Sequence, residues 1–120
     1  MRRLQITPIV DKSKFREMFE VYMKELSLYD DTIAFDRDGK CNYIYFENYW
    51  KDRNRFPLSF YVDNALAGFT MIRELSPYKY QIAEFYVKPE FRKDGNAIGF
   101  ANAVTDLFGG EFEFSTKLKN

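Results

Sequence analysis

The feature that most constrains the fold is an uninterrupted succession of strand, polar loop and helix between residues 78 and 108. The aromatic and β-branched residues of 78–87 fit a half-buried strand, and Pro89 ends it because proline has no N–H for a sheet ladder. After a polar loop with Gly95, small and apolar residues recur at helical spacing as far as Phe108. The free N–H groups and the positive dipole end of such a helix favour an anion such as a pyrophosphate.

The rest of the chain predicts further elements of a single domain, residues 1–120. An amphipathic helix is predicted over 15–26, where apolar residues recur every three to four positions. Strands are expected at 56–62, 65–75, 78–87 and 111–118, and a first strand at 4–10, where Pro8 marks either an edge strand or the end of the strand. A second, aromatic-rich helix or helical turn is expected at 43–53. Asp63 and Asn64 suit a tight hairpin turn because both tolerate positive φ. Gly68 indicates a bulge or a close backbone approach.

Composition excludes several classes of function. The 18 Lys and Arg residues balance 18 Asp and Glu residues, so the chain lacks the excess positive charge of a general nucleic-acid binder. Without histidine, Ser-His-Asp and Cys-His catalysis and most zinc sites are excluded, and no metal is expected. Cys41 has no histidine to activate it and is expected to be structural. No apolar run approaches a membrane span or a secretory signal, so a cytoplasmic location is expected.

The loop Arg92-Lys93-Asp94-Gly95-Asn96-Ala97 resembles the Arg/Gln-x-x-Gly-x-Gly/Ala loop of the GNAT superfamily of N-acetyltransferases. The segment Glu84-Phe85-Tyr86-Val87 stands where that family has the strand that pairs with its cofactor. The chain is most similar to a little-described subgroup of predicted acetyltransferases. The similarity extends upstream to Asn48-Tyr49-Trp50 and Leu66-Ala67-Gly68-Phe69, so it covers most of the chain.

The resemblance and the order of the elements imply the same fold class. It is a mixed α+β domain in the order β-α-α-β-β-β-α-β, with a mostly antiparallel twisted sheet and helices on both faces. A parallel crossover is expected to join the strands 78–87 and 111–118 through the helix 95–108. Asn120, the last residue of the sequence, resembles the asparagine that opens the family's last helix. That helix and the strands after it are therefore not expected.

The activity that the resemblance implies is direct transfer of an acetyl group from acetyl-CoA to a primary amine. Arg92 and Lys93 are expected to add positive charge at the pyrophosphate. The pyrophosphate itself is expected to lie on main-chain N–H groups of the loop, those of Lys93, Asp94, Gly95, Asn96 and Ala97. The pantetheine arm is expected to pair like an added strand with the main chain of Phe85, Tyr86 and Val87.

Glu84 is the expected general base, which takes the proton that an amine must lose before it attacks a thioester. The alternative for Glu84 is an exposed strand carboxylate. The acceptor is expected to be a small-molecule or peptide amine. If the family's arrangement applies, the acidic segment 29–42 borders the acceptor site and suits a cationic amine; the alternative is a solvated loop.

Two departures from the family pattern leave other functions open. Asn96 replaces a residue that is usually apolar, and it is expected to loosen helix packing without abolishing the loop. Because the family's last elements are not expected, we also expect no counterpart of the tyrosine that often protonates the departing thiolate, and an unpaired edge on the aromatic final strand. A homodimer through that strand is therefore expected. The alternatives are a GNAT-like module that binds CoA or its own copy without turnover, and an α+β interaction domain without a cofactor.

Overall fold

The computed structural model describes residues 1–115, and within that range it has five β-strands and two α-helices. In chain order these are β1 (Arg2–Ile6), α1 (Lys12–Ser27), β2 (Arg55–Val62), β3 (Ala65–Ser76), β4 (Lys79–Val87), α2 (Asn96–Phe108) and β5 (Glu111–Phe114). Single turns of 3-10 helix lie at Ile9–Asp11, Glu47–Trp50 and Pro89–Phe91. In the part of the chain that the structure describes, no helix is long and apolar enough to cross a bilayer.

The strands form one sheet in the order β1-β2-β3-β4-β5. The first four are antiparallel to their neighbours, whereas β5 runs parallel to β4. The predicted mixed sheet and the predicted crossover β4–α2–β5 are therefore confirmed. The final strand was predicted over 111–118; its residues 111–114 are strand, and residues 116–118 lie outside the described part of the chain.

The two helices cover opposite faces of the sheet, as predicted. The apolar stripe of α1 packs on one face, and most of its residues are buried: Phe15, Met18, Phe19, Tyr22 and Met23. On the other face, Phe100 of α2 stacks on Phe60 of β2 with ring centroids 4.3 Å apart. The aromatic rings between the sheet and each helix are buried, and this burial stabilises the packing of both helices on the sheet.

The structure corrects the sequence-based prediction at the first strand, expected over 4–10. β1 ends at Ile6, and Pro8 starts a 3-10 turn at Ile9–Asp11 that leads directly into α1. The exposed side chains of Ile9 and Val10 imitate a continuing strand in the sequence. Proline prevents that continuation because its φ is fixed and it has no N–H to donate.

A helix or a helical turn was expected over 43–53, and the structure has the turn, a single turn of 3-10 helix at Glu47–Trp50. Tyrosine, asparagine and tryptophan are weak helix formers, so backbone hydrogen bonds alone do not extend the turn. The segment is instead held by its rings: the centroids of Phe46 and Trp50 lie 6.1 and 5.3 Å from that of Phe15 in α1.

The two turn predictions in the β2–β3 hairpin are confirmed. Asp63 and Asn64 have φ values of 49° and 70°, which is the left-handed region that a tight hairpin turn requires. Gly68 stands beside a register shift between β2 and β3. A Cβ atom on Gly68 would lie 2.1 Å from the main-chain oxygen of Tyr86, so the glycine allows β3 to approach β4 closely.

We predict that Gly68→Ala lowers the free energy of unfolding by about 3 kcal/mol or more, the upper end of the usual cost of overpacking. The physical reason is that the methyl group meets backbone rather than a side chain that could move aside. Urea denaturation measures the loss. The matched control is Gly39→Ala, which has a φ of +79° but no atom within 4 Å; it is expected to cost only about 1 kcal/mol. Equal losses in the two variants would contradict the close approach.

Candidate functional site

β4 contains a bulge that the sequence did not predict. Its register with β3 pairs Met71 with Glu84 but Ile72 with Ile82, so Ala83 is an extra residue in the strand. The extra residue reverses the alternation, so each following side chain projects from the opposite face of the sheet. Before it, Ile82 packs in the α2-side core; after it, Tyr86 packs in the α1-side core. Glu84 is thereby turned towards α1.

β4 also loses its outer neighbour at the bulge. β5 pairs with β4 only from Lys79 to Ile82, and Ser115 then bonds to the main-chain oxygens of Ile82 and Ala83 at 3.0 and 3.1 Å. Within residues 1–115, the edge of Glu84–Val87 that faces away from β3 has no strand beside it. An extended ligand can add to such an edge through main-chain hydrogen bonds.

Glu84 lies in the core and not on the surface. Its side chain is fully buried, and each of its oxygens accepts a hydrogen bond from a tyrosine. Tyr22 of α1 donates to Oε1 at 2.6 Å, and Tyr43 donates to Oε2 at 2.9 Å. The interpretation of Glu84 as an exposed strand carboxylate is therefore wrong, while its role as a base stays a prediction.

The two hydroxyl groups that hold Glu84 remain protonated at neutral pH. Burial raises the pKa of Tyr22 and of Tyr43 far above the ordinary value, and the nearby Glu84 charge raises both further. Both side chains are consequently permanent donors to the carboxylate. Hydrogen bonds to an ionised acceptor are about twice as strong as those between neutral groups, so they fix the orientation of Glu84.

The polar network continues away from Glu84 into the segment before β2. The hydroxyl of Tyr49 interacts with Tyr43 and with Arg55, and burial raises the pKa of Tyr49 while Arg55 opposes the shift. The Arg55 guanidinium lies 5.4 Å from the centre of the Tyr49 ring. A line of polar groups thus runs from the buried carboxylate towards Arg55, at the start of β2.

Tyr22 and Tyr43 are site residues that the sequence did not single out: they fall within the helix predicted over 15–26 and the helix or helical turn predicted over 43–53. A signal was available: a tyrosine in a buried stripe needs a partner for its hydroxyl, and a buried carboxylate needs donors. What the sequence could not supply was the pairing, because Tyr22 and Tyr43 lie 62 and 41 residues from Glu84 along the chain.

The loop between β4 and α2 has the backbone form of an anion site. Asp94 and Gly95 are both left-handed, with φ values of 57° and 72°. Gly95 precedes α2 and gives no side-chain cap to it. The N–H of Asn96 donates to the main-chain oxygen of Lys93 at 3.1 Å, whereas the N–H groups of Ala97 and Ile98 in the same turn are available to solvent or a ligand. Lys93, Asp94, Gly95 and Ala97 are exposed.

Arg92 is fixed by contacts within the chain. Its Nε donates to the main-chain oxygen of Val87 at 2.7 Å, and its Nη2 forms an ion pair with Glu25 of α1 at 2.8 Å. The guanidinium also lies 5.5 Å from the centre of the Tyr86 ring. Arg92 therefore joins α1, the end of β4 and the loop, with part of its side chain open to solvent.

Asn96 strengthens the loop instead of loosening it. Its side chain is buried, its Nδ2 donates to the main-chain oxygen of Phe91 at 2.9 Å, and its Oδ1 accepts from Nε of Arg2 at 2.9 Å. A polar side chain at this position is stable because both of its ends are hydrogen-bonded. Its main-chain N–H also donates within the loop, to the oxygen of Lys93 at 3.1 Å.

The acidic segment 29–42 lies beside α1, and two of its carboxylates stabilise the segment's own turns. Asp30 accepts from the main chain and hydroxyl of Thr32, and Asp36 accepts from the main-chain N–H groups of Asp38 and Lys40. Part of the segment, residues 38–40, lines a groove of about 680 Å³ along α1. None of the groove's lining residues is one of the donors to Glu84.

Cys41 is buried, in agreement with a structural residue. Its main-chain N–H donates to Glu20 and its main-chain oxygen accepts from Arg16. In the described residues, no group of three or more Cys, Asp and Glu side chains could hold a metal ion.

The sequence model described as the acetyltransferase (GNAT) family matches residues 15–97, which include most of the helix α1, the bulged strand β4 and the loop that follows it. A search of curated proteins finds no match to the chain.

Solved structures of acetyltransferases share the fold. A ribosomal-protein-alanine N-acetyltransferase from Brucella melitensis biovar Abortus aligns with a TM-score of 0.67 and 18% identity, over 97% of this chain and 80% of that one. A predicted acetyltransferase with acetyl-CoA from Clostridium acetobutylicum gives 0.68 and 15%, over 97% and 81%. An aminoglycoside acetyltransferase from an uncultured soil sample, in complex with sisomicin, gives 0.69 and 10%, over 96% and 77%.

Proposed function

Because this chain belongs to the GNAT family of acetyltransferases, we propose that it transfers an acetyl group from acetyl-CoA to a primary amine by direct attack on the thioester. The observation that carries the proposal is the geometry of β4. A buried, oriented carboxylate, an open strand edge and a left-handed loop before a helix follow one another over residues 84–97.

The residues of this segment fit acetyl-CoA as a cosubstrate. The pantetheine arm pairs with main-chain groups of Phe85, Tyr86 and Val87 along the edge that no described strand covers, where the oxygen of Val87 already accepts from Arg92. The pyrophosphate lies on the N–H groups of the loop 93–97 other than that of Asn96, which donates to Lys93, and Gly95 has no side chain to keep the phosphates away. Arg92 supplies positive charge from a position that Glu25 and Val87 fix.

Glu84 acts as the general base, directly or through one water. An ammonium group cannot attack a thioester until it loses a proton, and a carboxylate held by Tyr22 and Tyr43 is already oriented to receive it. The departing CoA thiolate takes its proton from water or from a neighbouring group. The cytoplasm, where acetyl-CoA is available, is the compartment that fits this reaction.

The acceptor in this proposal is a small-molecule or peptide amine. Two of the proteins that share the fold are named for acceptors of these two kinds, an aminoglycoside and the alanine of a ribosomal protein.

A second candidate is a GNAT-like module that binds CoA without turnover. The observation in its favour is that Glu84 is fully buried and both of its oxygens accept hydrogen bonds from tyrosines. A general base must lie within hydrogen-bond reach of the proton that it takes from the substrate, and the two tyrosine hydroxyls already occupy the oxygens of Glu84. In this reading the Glu84 cluster is a structural core element, and acetyl-CoA binds with no transfer to any amine.

We predict that Glu84→Gln lowers the turnover number by about 100-fold or more, the usual contribution of a general base, while the affinity for acetyl-CoA changes little. Glutamine keeps the shape of the side chain and still offers an acceptor to a tyrosine. The measurement is release of the CoA thiol with an aminoglycoside or a peptide with amino-terminal alanine as acceptor. Glu90→Gln, which removes an exposed carboxylate six residues away, is the matched control and should keep full turnover.

Equal turnover in Glu84→Gln and wild type would remove Glu84 from the mechanism. Saturable acetyl-CoA binding by the wild type without transfer to any acceptor would favour the second candidate.

We further propose that two copies pair through β5. Within the described residues this strand is the outer one on its side of the sheet, and Phe114 is 46% exposed on it. An outer strand with an exposed aromatic residue offers unpaired main-chain groups to a second chain.

We predict a dimer mass in sedimentation equilibrium at tens of micromolar protein. Phe114→Lys should shift the protein towards monomer, because a charge on the outer strand opposes edge pairing. The control is Tyr78→Lys, which places the same charge at an exposed turn and should remain dimeric. A monomeric wild type at this concentration would contradict the proposal.

A further inference from the structure

We propose that Arg2, on the strand farthest from β5, is a positioning residue that holds the loop 94–97 in the form that binds the pyrophosphate of acetyl-CoA. The inference rests on the proposed function and extends it to a residue outside the segment that resembles the family loop. The observation that carries it is a clamp formed by Arg2, Asp94 and Asn96.

The clamp joins two parts of the chain that lie more than 90 residues apart. Nη2 of Arg2 donates to the main-chain oxygen of Asp94 at 2.5 Å, and Nε donates to Oδ1 of Asn96 at 2.9 Å. Asn96 passes the restraint on, because its Nδ2 donates to the main-chain oxygen of Phe91 at 2.9 Å. One guanidinium group thus fixes the middle of the loop and, through Asn96, its beginning.

The Asp94 contact also sets the direction of a main-chain donor. The peptide bond between Asp94 and Gly95 is trans, and in a planar trans peptide the C=O and N–H bonds point in opposite directions. Since the oxygen of Asp94 faces Arg2, the N–H of Gly95 faces away from Arg2. Asp94 has a φ of 57°, which is costly for a residue other than glycine, and the guanidinium helps to hold it there.

Gly99 provides the space that the clamp needs. A Cβ atom at this position would lie 2.7 Å from Nε of Arg2 and 2.8 Å from its Cδ and Cζ. Glycine in a helix interior is less favourable than alanine by about 1 kcal/mol. Gly99 lies at the point where the Arg2 side chain packs against α2, and any larger residue there would contact that side chain.

The sharpest test is Gly99→Ala, because it is expected to weaken binding with little change in stability. Alanine favours the helix, which offsets the cost of leaving the buried Asn96 oxygen without its Arg2 donor, so the unfolding temperature should change little. Its methyl group displaces the flexible Arg2 side chain without removing any charge. We expect calorimetric titration with acetyl-CoA to show binding about tenfold weaker than in the wild type, the effect of losing one charged hydrogen bond.

Arg2→Met removes the clamp directly and is expected to weaken acetyl-CoA binding to a similar degree. Arg3→Met is its matched control. It removes the same charge from the same strand, but Arg3 contacts Gln5 and the Tyr61 ring and not the loop. Its affinity for acetyl-CoA is expected to equal that of the wild type. In the ligand-free protein, NMR order parameters at residues 94–96 should fall in Arg2→Met and Gly99→Ala and not in Arg3→Met.

The outcomes separate this inference from the proposed function. If the wild type does not bind acetyl-CoA, the proposed function fails and the cofactor role of Arg2 fails with it. If the wild type binds and Gly99→Ala and Arg2→Met bind equally well, only the positioning role is overturned. Equal loss in Arg2→Met and Arg3→Met would also overturn it, because the effect would then come from net charge.

Discussion

The burial of the Glu84 carboxylate is the interaction on which the rest of this structure depends. An unpaired charge in an apolar core costs several kcal/mol, and the hydrogen bonds that Tyr22 and Tyr43 donate to its two oxygens stabilise Glu84 there. One donor comes from α1 and the other from the segment that follows Cys41. The same pair of hydrogen bonds therefore fixes α1 and that segment against β4.

The bulge at Ala83 places this carboxylate. Without the extra residue, strict alternation would put Glu84 on the same face as Ile82, in the core under α2. With it, the α1 side of β4 carries the carboxylate, while the α2 side keeps the apolar contacts of Phe85 and Val87. The same bulge coincides with the end of β5 pairing. The bulge thus turns Glu84 towards α1 and also marks the point where the edge of β4 loses its neighbour β5.

Sequence patterns predicted the parts of the fold that depend on nearby residues. The stripe of α1, the turn at Asp63–Asn64 and the close approach at Gly68 each have a local cause, namely helical spacing, tolerance of positive φ and absence of a side chain. The loop at 92–97 was predicted from its polar residues and Gly95, and its role as an anion site from its resemblance to the GNAT family loop. The strand expected at 4–10 was too long because the chain leaves the sheet before Pro8. Of the helix or helical turn expected at 43–53, only a turn forms.

The rest depends on contacts between distant residues, for which one sequence gives no signal. The bulge at Ala83 is a property of the register between two strands, and Tyr22, Tyr43 and Arg2 reach their partners across 41 to 94 residues. Asn96 shows the limit most clearly. Read alone, it is a polar residue at a packing position; next to Arg2 it is part of a hydrogen-bonded clamp.

The most direct test of the central claim, that the open edge of β4 and the loop before α2 receive acetyl-CoA, is an NMR titration of the wild-type protein. Backbone amide resonances are followed as acetyl-CoA is added. The account predicts saturable shifts at residues 85–87 and 93–98, with small changes along the groove on α1. No shifts, or shifts confined to residues 12–24 and 38–47, would contradict it.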